Sequence, residues 1–146
     1  MDLHSIDIKF INFAKKISVP FARLSIFVVF FWFGVLKVLG YSPASGLVKD
    51  LLSHTLGFVN PDNFVVWFGV FEMMIGVLFL IKGLERLVIP LLLLHMVTTI
   101  MPLFLLPSAM WSHFFVPTLE GQYIIKNMVI IAASIGIAAH LHPLKK

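Results

Sequence analysis

Four stretches of this chain are near-continuous apolar runs, neither alternating nor one-sided. They cover about residues 21–40, 64–81, 87–106 and 122–140, with glycines, prolines and polar residues punctuating the gaps. A helix crosses roughly 30 Å of hydrocarbon in about 20 residues, which each run supplies or nearly supplies. Ahead of the first run, Ile6, Phe10, Phe13 and Ile17 fall on one helical face. Asp7, Lys9, Asn12, Lys15 and Lys16 lie mostly elsewhere, so an amphipathic N-terminal helix lying on a membrane surface is expected.

Two shorter amphipathic segments sit between the runs. Ser42 and Pro43 suit the N-cap and first turn of a helix carrying Leu47, Val48, Leu51, Leu52 and Leu56, with Gly57 as its stop. Pro107 and Pro117 bracket residues 108–116, where Trp111, Phe114 and Phe115 suit a headgroup interface. No linker divides the chain. The pattern predicts an all-α fold: one transmembrane domain over residues 1–146, an integral membrane four-helix bundle with short amphipathic segments in its outer loops. The first apolar run exceeds the roughly 7–15 residues of a signal core, so a cleavable signal is not expected.

Composition supports the membrane class. Apolar residues make up 60% of the chain and charged residues 12%, whereas a soluble domain carries about 25% charge. Lysine and arginine cluster at one end of the runs: Lys9, Lys15, Lys16, Arg23, Lys82, Arg86, Lys145 and Lys146. Lys49 is the one clear cation in the opposite loops. Both termini are therefore expected in the cytoplasm. Basic residues that flank apolar spans give no reason to expect nucleic acid. The absence of cysteine excludes a dithiol relay, a disulfide framework and thiolate metal sites.

A charge inside hydrocarbon costs several kcal/mol unless paired or hydrated, so each demands a reason. Arg23, Lys37, Glu72, His95 and Lys126 are such charges, with Asn127 beside the last. Gly34 shares a face with Lys37, and Gly69 and Gly76 share a face with Glu72. Small residues there would let helices approach closely, which points Glu72 inward. Lys37, Glu72, His95, Lys126 and Asn127 are therefore expected to form an inward polar cluster that opens toward the outer face. It would serve as a ligand-binding or proton-relay site, or as a structural ion pair. Arg23 stands apart and is expected to snorkel to the inner headgroups. No two histidines occupy matching depths on different spans, which argues against haem, and no metal site is expected.

At these residues the chain resembles the DoxX-like family of small bacterial four-helix membrane proteins. The matching pieces are Arg23-Leu24-Ser25, Phe33-Gly34-Val35-Leu36-Lys37, Gly69-Val70-Phe71-Glu72-Met73-Met74-Ile75-Gly76 and Gly121-Gln122-Tyr123-Ile124-Ile125-Lys126-Asn127. Thr98-Thr99, Pro102-Leu103 and the segment from Pro107 to Trp111 are similar to the branch associated with resistance to reactive chlorine. The resemblance implies a bacterial inner-membrane protein. It also implies a membrane subunit or partner of a quinone-linked oxidoreductase or oxidative-stress complex; no cofactor is assigned, and a quinone is the candidate ligand for the polar cluster. Two other functions are compatible with the residues: a noncatalytic assembly or interaction protein with structural buried charges, and a transporter of a small solute or protons. A stand-alone enzyme is not expected. The expected partners are the lipid bilayer, a membrane or peripheral oxidoreductase subunit, and further copies of the chain.

Overall fold

The computed structural model describes residues 2–143. Lys145 and Lys146, counted among the cations above, lie outside the described residues. The chain is mostly helical, and four of its helical segments are long and apolar enough to cross a membrane. In chain order the elements are α1 (Leu3–Val38), α2 (Ser45–Thr55), α3 (Pro61–Leu80), α4 (Glu85–Ile100), α5 (Pro102–Leu105) and α6 (Pro107–Met110). There follow β1 (Trp111–His113), β2 (Val116–Pro117), α7 (Leu119–Lys126) and α8 (Met128–Ala138). The four candidate spans are α1, α3, α4 with α5, and α7 with α8.

Local chemistry sets the ends. α1 stops in a Schellman arrangement, with Gly40 at φ 77°. Tyr41 N–H donates to the Leu36 carbonyl at 2.8 Å, and Gly40 N–H to that of Lys37 at 3.2 Å. α3 starts behind Asn60, whose side chain accepts from the Asp62 and Asn63 amides at 3.0 and 3.2 Å, with Pro61 in the first turn. Thr118 caps α7 by accepting from Gly121 N–H at 3.2 Å.

Four expectations need correction. The N-terminal amphipathic stretch is not a separate surface helix; it continues without a break into the first span, and Pro20 sits inside α1 without ending it. α2 begins at Ser45, because Ser42 caps the turn before it by accepting from Ala44 N–H at 3.3 Å. The fold is not purely helical: Trp111 to Pro117 forms a two-stranded antiparallel hairpin whose turn holds Phe115 at φ 55°. Finally, the last span is jointed at Asn127 between α7 and α8.

The core draws on all four spans. Ile26 and Phe30 of α1 meet Ile75 and Phe79 of α3, Val88, Ile89, Leu92 and Met96 of α4, and Ile137 of α8. The most extensive packing is between α1 and α3. Their backbones approach closely: a Cβ added to Gly34 would lie 2.5 Å from the Gly69 carbonyl oxygen, and one added to Gly76 would lie 3.0 Å from Phe31 N. Only glycine fits the first contact, and at the second the neighbouring backbone would have to give by a few tenths of an ångström.

Candidate functional site

Two buried polar clusters tie the same three helices together at two levels. The first joins the last turn of α1 to the middle of α3 and α4. Lys37 Nζ donates to Glu72 Oε2 at 2.6 Å, and His95 Nε2 lies 3.4 Å from Glu72 Oε1. All three are buried, at 6%, 7% and 4% exposure, so a charge here is screened by very little water. Aromatic rings close the surroundings. The centroids of Phe30, Phe68 and Phe71 stand 5.3, 4.8 and 6.0 Å from that of His95, and Lys37 Nζ lies 5.8 Å from that of Phe68. His95 Nδ1 is buried without a hydrogen-bond partner. Thr98 and Thr99 take no part, since both hydroxyls donate back to the His95 carbonyl.

The second cluster overturns the snorkelling expected of Arg23. Its guanidinium is buried; Nη1 pairs with Glu85 Oε1, and Nε donates to the Phe79 carbonyl at 2.8 Å. Glu85 Oε2 also accepts from Gly83 N–H at 2.8 Å, in a turn where Gly83 has φ 94°. Arg23 thus binds the C-terminal turn of α3 to the N-terminal turn of α4. Sequence reasoning missed Glu85 because its neighbours Lys82 and Arg86 were weighed only as orientation signals. The available clue was an acidic residue at the same end of the apolar runs as an arginine set within one of them.

Of the residues expected to form one cluster, Lys37, Glu72 and His95 come together, with Gly34 and Gly69 one turn away on their helices. Lys126 and Asn127 do not join them. Lys126 is exposed, with Nζ 5.5 Å from the Tyr123 ring centroid, and half-buried Asn127 forms the joint between α7 and α8. α7 packs chiefly on α4, α6 and β2, away from the helix that carries Glu72.

A cavity of about 460 Å³ is walled by Trp111, His113, Phe114 and Phe115 of the hairpin. Another of about 160 Å³ lies between α1 and α8, lined by Ser18, Val19, Ala22, Ala133, Gly136, Ile137 and His140. Neither is lined by Lys37, Glu72 or His95. The cluster is filled by its own side chains, an arrangement suited to holding helices in register. No known protein family, characterised protein or solved structure matches the chain.

Proposed function

We propose that this chain is a multi-pass inner-membrane protein of the DoxX-like type, with both termini cytoplasmic, that acts as a noncatalytic interaction protein. Its buried charges are structural, and its working surface is the hairpin at the outer end of spans three and four. The observation that carries this reading is the closure of both ion pairs within the chain, with none of their residues lining either cavity. The hairpin supplies the second half. Phe114 and Phe115 are 91% and 78% exposed, yet the loop is held firmly, since Trp111 Nε1 donates to the Leu103 carbonyl at 3.0 Å. A bulky residue in the left-handed region costs of order 1–3 kcal/mol, a strain that favours a role for the ring beyond folding.

Two measurements follow. Purified in mild detergent, the chain is expected to carry no stoichiometric quinone and no visible chromophore. A near-stoichiometric quinone that disappears in Lys37→Met at matched helicity would sink the structural reading of the cluster. Phe115→Gly is expected to shift thermal stability by no more than about 1 kcal/mol, because relief of the positive φ offsets lost ring contacts. A larger loss would make the hairpin part of the fold's support, not a surface free to bind.

A second reading rests on His95. With Nε2–H facing Glu72, its buried, unpartnered Nδ1 is an acceptor to which a quinol hydroxyl could donate if the three rings part. The same extraction separates the two readings.

A further inference from the structure

Seven large apolar side chains on the first half of α1 are left uncovered; Ile8 and Ile11 stand on other sides of the helix, and the remaining five form one stripe. Leu3, Ile6, Phe10, Phe13 and Ile17 are 83%, 43%, 67%, 59% and 39% exposed. Their spacing alternates three and four residues, the repeat by which one helix packs along another. Taken at about 100° per residue, the stripe lies roughly 140° round the helix from the face that meets the rest of the chain. That buried face is marked by Arg23, Ile26, Phe30, Gly34 and Lys37. Beyond Ile17 the stripe continues through Phe21, Leu24 and Val28, which are 66%, 49% and 48% exposed.

Length decides what can cover it. α1 is about 54 Å long at 1.5 Å per residue, against roughly 30 Å of hydrocarbon. If the chain spans a membrane as proposed above, roughly 16 residues of α1 stand beyond the hydrocarbon. Lipid covers the stripe only in the spanning half. Laying the other half flat on headgroups would need the helix to break, and α1 continues through Pro20 as one element.

We propose that the stripe is the seam of a parallel homodimer, with α1 of a second copy lying along it. Ile6, Phe10, Phe13 and Ile17 each face their own counterparts. Two copies inserted the same way in one bilayer present α1 side by side, parallel and at equal height. The membrane has thus already fixed the orientation and register that a free pair of helices must find. The flanking charges permit the pairing. In a parallel pair the residue before one layer faces the residue after the next, which sets Lys9 against Ala14 and Lys16 against Phe21. Like charges meet only in the first turn, where Asp2 faces Asp7.

A cysteine-free chain makes the test direct. Single cysteines are placed through residues 3–18 of the full chain, reconstituted at a high lipid-to-protein ratio and oxidised. Ile6→Cys, Phe10→Cys, Phe13→Cys and Ile17→Cys are expected to give disulfide-linked dimer several-fold above Ile8→Cys, Asn12→Cys and Lys15→Cys. A flat profile, or one that peaks at the second set, overturns the seam. Resistance to alkaline carbonate is scored on the same samples. Extraction by carbonate would remove the membrane reading and the dimer together, whereas a flat profile in an embedded chain removes the dimer alone.

Discussion

Replacing Glu72 by alanine is expected to destabilise the protein by about 3–5 kcal/mol, because it strands Lys37 as an uncompensated charge in a dry interior. Lys37 is 6% exposed, and Glu72 supplies both its hydrogen-bond acceptor and the carboxylate nearest His95. Replacing both partners by apolar residues of similar size, Lys37→Met with Glu72→Leu, leaves no stranded charge and is expected to fall within about 1 kcal/mol of the parent, or above it. Denaturant or thermal unfolding in one fixed detergent, followed by helicity, measures all the variants. A Glu72→Ala loss below about 1 kcal/mol would mean that water reaches the pair, as it does in exposed ion pairs, and would reopen the case for a solvated ligand site.

The two polar clusters together explain which helices the charges serve. Arg23 and Lys37 are 14 residues apart on α1, about 21 Å along its axis. Each reaches both α3 and α4: Arg23 through the Phe79 carbonyl and Glu85, Lys37 through Glu72 and its neighbour His95. Span four is held differently. Ser134 Oγ is satisfied inside its own helix by the Ile131 carbonyl, and Ile137 contributes apolar packing. Polar contacts to that span lie at its ends, where Thr118 N–H donates to the Met110 carbonyl and Arg86 to that of His142. The buried charges therefore fix three helices in register and leave the body of the fourth to shape and apolar contact.

That division shows why some of the site was legible in the sequence and some was not. The Lys37–Glu72 contact could be anticipated because both residues belong to regular helices whose glycines mark the inward face at a fixed spacing. His95 followed from its place in the middle of an otherwise apolar run. Lys126 failed because periodicity was carried through Asn127, where the helix is jointed between α7 and α8. Arg23 failed because a long cation near a span's end is ordinarily expected to snorkel, and only a partner on another helix decides otherwise. The four spans were legible from run length alone. Continuity across Pro20 was not, since a proline between a polar-faced stretch and an apolar one is compatible with either a bend or a straight helix. β1 and β2, at three and two residues, are too short for an alternating pattern to register.

Gly69→Ala is expected to cost about 1–3 kcal/mol, the range for forcing extra atoms into a packed contact. Its new Cβ would stand 2.7 Å from the Gly34 carbonyl oxygen and 2.8 Å from Lys37 Cβ. The first of these is backbone, so a side-chain rotation cannot relieve it and α1 must move away from α3. Gly34 and Lys37 are spaced by three residues on α1, as Gly69 and Glu72 are on α3. The glycine contact and the ion pair therefore sit one turn apart across the same interface, and the movement that relieves one stretches the other. Part of the Gly69→Ala cost is then lost ion-pair energy. In a Glu72→Ala background that part has already been lost, so the same alanine costs less. The double-mutant cycle is expected to give a coupling between about 0.5 and 3 kcal/mol, the range for residues that share a contact. Strict additivity would mean that the helices part without disturbing Lys37, and that the glycines and the charges fix the interface independently.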